Sequence, residues 1–93
     1  MQTLIATLKV QNGKQDDAKT LFRELAAAVR ANEPGTLAYT FHQRKDDPLS
    51  FLVYEKYASE DAFKAHGANL AKWGPRFAGV LAGRPEIVFL DEI

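Results

Sequence analysis

The stretch LAYTFHQRKDDPLSFLVYEKY, residues 37–57, decides the fold. Two runs rich in aromatic and β-branched residues, 37–44 and 51–57, flank the polar loop 45–50 with its Asp-Asp-Pro turn, so the segment reads as an antiparallel hairpin. In the first run Leu37, Tyr39 and Phe41 alternate with Ala38, Thr40 and His42. In the second, Phe51, Val53, Glu55 and Tyr57 alternate with Leu52, Tyr54 and Lys56. Large apolar groups therefore stand on both faces. A sheet with one face in water alternates more cleanly than this.

Upstream, residues 3–11 (TLIATLKVQ) place Leu4, Ala6, Leu8 and Val10 on one face of another strand, which Asn12-Gly13 ends. From Lys14 the period changes. Ala18, Leu21, Phe22, Leu25, Ala28 and Val29 recur at the spacing of an amphipathic helix, with Asp16 and Asp17 in its first turn and Arg30 in its last. Asn32-Glu33-Pro34-Gly35 terminates it. Downstream, Ser59 caps a second helix on which Ala62, His66, Leu70, Trp73 and Phe77 form one stripe, with a break expected at Gly74-Pro75. Residues 86–90 (EIVFL) are a last strand. The order β-α-β-β-α-β over a single domain, residues 1–93, is the α+β, ferredoxin-like split βαβ arrangement, an antiparallel sheet with both helices on one face. Two helices cover one face only. A second copy of the chain, sheet on sheet, is the expected cover for the other.

Composition agrees with a small globular domain. The chain is 46% hydrophobic and 26% charged, which excludes a disordered or coiled-coil chain. Twelve basic residues balance twelve acidic ones, so no net field draws in nucleic acid or an anionic membrane. The absence of cysteine excludes disulfides, thiolate-held metals and cysteine nucleophiles. Residues 1–10 alternate rather than forming an apolar targeting segment, and no run is long enough to span a bilayer, so a cytoplasmic protein is expected.

The segments 33–39 (EPGTLAY) and 51–57 (FLVYEKY), followed by Ala62 and Ala65-His66, together resemble the antibiotic biosynthesis monooxygenase family, the dimeric α/β-barrel proteins that include quinol monooxygenase-like enzymes. The resemblance runs through essentially the whole chain and is most specific between Glu33 and His66. It implies a ferredoxin-like fold paired as a dimeric barrel. It also implies one of several chemistries: cofactor-independent oxygenation of quinols or anthrones, haem degradation, or isomerisation of small sugars. Many relatives carry a second histidine shortly after the one matching His66. Here that stretch is Asn69-Leu70-Ala71-Lys72-Trp73, so a mechanism needing two imidazoles is disfavoured. The first strand has no Asn before Asn12 and no His follows Trp73, which disfavours haem degradation.

Among the residues themselves, His66 is the sharpest candidate. It lies on the inward stripe and titrates near neutrality in its ordinary state, which suits proton transfer. Against that stands a core-edge histidine bonded to a backbone carbonyl. Glu55 shares a face with Phe51 and Val53, so it is expected buried, either as a second catalytic carboxylate or in a structural salt bridge. Trp73, Tyr39, Phe77 and Phe63 are candidates to line an aromatic-binding pocket, with plain core packing as the alternative. Arg76 is a candidate to hold an oxyanion, and otherwise a solvated surface residue. A metal site built from His42, His66 and Glu55 would use every histidine in the chain and is not expected. No glycine-rich phosphate fingerprint follows the first strand, so no nucleotide, flavin or other cofactor is expected.

The reading is a small monooxygenase, cofactor-free, oxidising a quinol- or anthrone-like aromatic with dioxygen, with His66 or Glu55 as base. The alternatives are an isomerase or tautomerase of a small carbonyl compound and a non-catalytic ligand-binding dimer. The RNA-recognition motif shares this element order, but segment 49–54 lacks its basic residue and glycine.

Overall fold

A computed structural model describes all 93 residues. The chain forms β1 (Gln2–Lys9), α1 (Gln15–Asn32), β2 (Thr36–Gln43), β3 (Ser50–Tyr57), α2 (Glu60–Leu70), a 3₁₀ turn (Ala71–Trp73), α3 (Gly74–Val80) and β4 (Glu86–Leu90). The four strands make one antiparallel sheet in the order β2-β3-β1-β4. The helices pack on one face of it, which is the ferredoxin-like α+β arrangement expected from the element order.

The inward face is set by strand parity. Leu4, Ala6 and Leu8 of β1 stand opposite Glu55, Val53 and Phe51 of β3. Tyr39 and Phe41 of β2 stand opposite Glu55 and Val53. Leu37 departs from the expected alternation. The ladder slips between Thr36 and Ala38, so the bulge turns Leu37 out and leaves it half exposed.

α1 follows its sequence stripe closely, burying Ala18, Leu21, Phe22, Leu25 and Val29 against the sheet. Ala26 completes the stripe, whereas Ala28 is only half-buried. Phe22 stacks on Phe41 at 4.5 Å between centroids and meets Phe51 edge-on at 5.2 Å. The turn before α1 depends on Gly13, whose φ of 86° lies in the left-handed region. Buried positions number 19 of 93, the thin core that a chain of this length makes.

Ser59 caps α2 by accepting from the Ala62 N–H at 3.1 Å. The helix breaks one turn ahead of Gly74-Pro75. Pro75 has no N–H to give the Ala71 carbonyl, which takes the Gly74 N–H instead and tightens that turn to 3₁₀. Pro75 then sits in the first turn of α3, where its missing donor costs nothing.

The outer face of the sheet carries Ile5, Leu52 and Tyr54, half-buried, and the exposed Val88 and Leu90. β4 is apolar on both faces, with Ile87 and Phe89 also more than half exposed on the helix side. No helix is long and apolar enough to cross a membrane.

Candidate active site

α2 and α3 do not close fully on the sheet. Between them lies a cavity of about 450 Å³ in which 12 of the 17 lining residues are hydrophobic. Leu4, Ala6 and Leu8 form its sheet wall and Phe63, Leu70 and Phe77 its helix wall, while Gly67, Ala71 and Gly74 leave it room. Tyr39, Glu55 and His66 bring polar groups into an otherwise oily space.

His66 points from the middle of α2 toward the sheet and is 3% exposed. Its Nδ1 lies 2.8 Å from Oε1 of Glu33, and its Nε2 lies 4.0 Å from Oε1 of Glu55. One imidazole thus stands between two carboxylates. Glu33 reaches it from the residue that ends α1, where its own N–H bonds the Val29 carbonyl. The following turn folds back so tightly that a Cβ on Gly35 would come within 2.7 Å of the Ala62 Cβ on α2. That close approach seats the Glu33 carboxylate beside His66. Thr36 Oγ1 donates to the same Glu33 oxygen at 2.9 Å.

Glu55 comes from the centre of β3, with Tyr39 its cross-strand neighbour on β2. Burial pushes its pKa up. The bond from Tyr57 and the charge of His66 offset part of that rise, and the charge of Glu33 adds to it. The phenols of Tyr39 and Tyr57 are raised well above the ordinary tyrosine range, chiefly by burial, so both remain O–H donors. The rings of Tyr39 and Tyr57 flank the imidazole at 4.8 and 5.3 Å between centroids. Every buried side-chain polar atom has a hydrogen-bond partner.

Of the residues singled out from the sequence, His66, Glu55, Tyr39, Phe63 and Phe77 come together around this cavity. Trp73 and Arg76 do not. Trp73 lines a separate space of about 140 Å³ toward α1, with Leu25, Val29, Asn32, Glu33 and Asn69. Arg76 lies on the surface, paired with Glu24 at 2.5 Å and with its guanidinium 5.4 Å from the Trp73 ring. The reason is the width of the stripe: its sheet-facing edge runs through Gly67, Ala71 and Gly74, while Asn69, Lys72 and Trp73 flank it toward α1. Helical period marks a buried stripe without saying which neighbour each edge meets.

Sequence reasoning missed Glu33 and Tyr57 as parts of the site. Glu33 reads as part of a helix terminator, and Tyr57 as a core residue at the end of a strand. Tyr57 shares the parity of Glu55 and closes the segment 51–57 that carries the family resemblance. His42 is exposed on β2, and no group of three His, Asp or Glu side chains is placed to hold a metal ion. A second groove, of about 480 Å³, runs between α1 and β2 past Lys19, Arg23 and Arg30, and includes neither His66 nor Glu55.

The family model for antibiotic biosynthesis monooxygenase matches residues 1–71, a span that contains Glu33, Tyr39, Glu55, Tyr57 and His66. Among solved structures, the chain is similar to a proposed antibiotic biosynthesis monooxygenase from Caulobacter crescentus. The two are 39% identical, with a TM-score of 0.91, over 99% of this chain and 89% of that one. A structure described as an antibiotic biosynthesis monooxygenase is 25% identical with a TM-score of 0.89, covering 100% of this chain and 99% of its own. A proposed member from Nitrosomonas europaea is 26% identical with a TM-score of 0.88 over the same shares. No curated protein matches the chain.

Proposed function

The chain belongs to the antibiotic biosynthesis monooxygenase family, and from that premise we propose that it is a cofactor-independent monooxygenase of an electron-rich aromatic, a quinol or an anthrone. One observation carries the reading: a buried histidine and a buried glutamate converge on a single apolar cavity large enough for a small ring system. Apolar walls select an aromatic substrate. The two proton-transfer groups supply the only step such a substrate needs from a protein.

In this scheme His66 is the base and takes the acidic proton of the bound substrate. The resulting anion is electron-rich enough to pass one electron to dioxygen. The two radicals combine to a peroxide anion, which takes the proton back from His66 to become a hydroperoxide. This loses water and leaves a carbonyl on the ring, so that one oxygen atom enters the product and the other leaves as water. Phe63 and Phe77 hold the ring, Tyr39 donates its O–H to developing oxyanion charge, and the oily walls exclude bulk water. Glu55 lies where it can orient the substrate hydroxyl. We further propose that the protein works as a homodimer, with the apolar outer sheet face covered by a second copy.

The test is oxygen uptake by metal-stripped protein with a panel of hydroquinones, naphthols and anthrones. The expected result is uptake that His66→Ala abolishes while the fold is retained. No uptake from any of them overturns the oxygenase reading in favour of an isomerase or tautomerase, or of simple ligand binding. Uptake undiminished in His66→Ala removes His66 from the role of base.

A further inference from the structure

We propose that Glu33 is a positioning residue for His66, fixing the ring hydrogen on Nδ1 so that Nε2 presents its lone pair to the cavity. The inference rests on the reading of His66 as the base and adds which nitrogen acts and what sets it. Nδ1 lies 2.8 Å from Glu33 Oε1, and the same oxygen already accepts from Thr36 Oγ1 at 2.9 Å. An ionised carboxylate oxygen only accepts hydrogen bonds, and both of its lone-pair directions are then used. The ring nitrogen facing it is therefore the donor, and the hydrogen bond made by one nitrogen decides the state of the other.

Nε2 is left without such a commitment. Its nearest carboxylate oxygen, on Glu55, is 4.0 Å away, outside hydrogen-bond reach. A substrate hydroxyl entering between them meets a bare nitrogen on one side and a carboxylate on the other. When Nε2 takes the substrate proton, the ring becomes a cation with Glu33 already in contact, and it returns to its starting tautomer when the proton is handed on. Glu33 touches no substrate. It lies at the wall shared with the smaller cavity beside Trp73, on the far side of the imidazole from the substrate space.

The experiment is ¹⁵N NMR of the substrate-free protein at mildly alkaline pH, reading the two ring nitrogens of His66 in the wild type, Glu33→Ala and Glu33→Asp. The wild type is expected to show a hydrogen on Nδ1 and a bare Nε2. In Glu33→Ala the acceptor facing Nδ1 is gone, the Glu55 carboxylate on the Nε2 side is the one left facing the ring, and the hydrogen moves to Nε2. The aspartate variant keeps the hydrogen on Nδ1. On a substrate that turns over, Glu33→Ala is expected to lower kcat by about 10²-fold with KM little changed, and Glu33→Asp to keep part of the lost activity.

A wild-type ring with its hydrogen on Nε2, or on both nitrogens, overturns the proposal. So does a Glu33→Ala ring that keeps the wild-type tautomer. Should Glu33→Ala fail to fold, the wild-type and aspartate spectra still decide. Because the tautomer is read without substrate, failure of this inference is distinct from failure of the oxygenase reading. A merely structural Glu33 would not move the ring hydrogen.

Discussion

The Tyr57 phenol donates to Oε1 of Glu55 at 2.5 Å, one step along the same face of β3. Tyr57 has no exposed surface, and Glu55 is nearly as deeply buried. A carboxylate in this position has lost most of its water, and this bond is its one direct hydrogen-bond donor among the side chains. Tyr57 thus lets a sheet with an oily inner face carry an acid at its centre. The same parity that puts Glu55 inside also puts its donor there.

Tyr57→Phe is therefore expected to destabilise the protein by about 1–3 kcal/mol, the range for leaving a buried acceptor unpaired. Glu55 should then titrate higher still. Urea unfolding gives the first quantity and carboxyl ¹³C NMR the second. An unchanged unfolding midpoint would mean that the bond contributes nothing net.

Glu55 also imposes a pH dependence of definite sign. Burial raises its pKa in the folded protein above the ordinary glutamate value of 4.5. The folded state binds this proton more tightly than the unfolded chain does. Its stabilising contribution is full below the ordinary value and is lost as pH rises through the folded-state value. Unfolding free energies measured across that window should fall with rising pH in the wild type relative to Glu55→Gln, which has no such proton. A difference that is flat, or that rises with pH, contradicts the buried, raised state of Glu55.

Gly35→Ala tests the clamp that seats Glu33. The new Cβ would meet the Ala62 Cβ at 2.7 Å, so either the turn or α2 must shift. A cost of about 1–3 kcal/mol is expected, as for other overpacked contacts. The Glu33–His66 contact should loosen with it, seen as a change in the His66 ring resonances. Pairing this substitution with Ala62→Gly should relieve both effects, because the clash is between those two side chains.

How much of this was legible without coordinates depends on how local each determinant is. The β-α-β-β-α-β order follows from periods of two and 3.6 residues, which each segment carries within itself. Parity alone put Glu55 indoors, and the stripe on α2 did the same for His66. The bulge at Leu37 was not legible, because it reflects how β2 settles on β3 and not the composition of β2. Glu33 was hidden for a related reason. It lies 33 residues from His66, and only the packing of the Gly35 turn on Ala62 brings them together.

Trp73 and Arg76 face away from the cavity, and their substitution should show it. Arg76→Ala breaks an ion pair whose side chains are about half exposed, so a loss below about 1 kcal/mol and unchanged turnover are expected. Trp73→Leu should cost more stability through lost packing against α1 and still leave KM for an aromatic substrate close to the wild-type value. A large rise in KM would put Trp73 back among the substrate contacts.

The outer sheet face gives the last expectation. Ile5 stands opposite Tyr54 on one neighbour and Val88 on the other, and Thr3 opposite Leu90. This makes an apolar patch across β3, β1 and β4, on the side of the sheet that the helices leave bare. Such a patch favours self-association, because the water it orders is released when a matching surface covers it. A two-fold dimer meets the requirement with a single surface that is its own complement. Sedimentation should then give about twice the 10.4 kDa of one chain. Placing lysine at both Tyr54 and Val88 should dissociate the dimer, since each cation would be desolvated against its symmetry mate with no partner charge. Helix content should stay intact, because neither side chain faces the core. A wild-type protein that sediments as a monomer at micromolar concentration, or a double-lysine variant that remains dimeric, would show that the patch is not the interface.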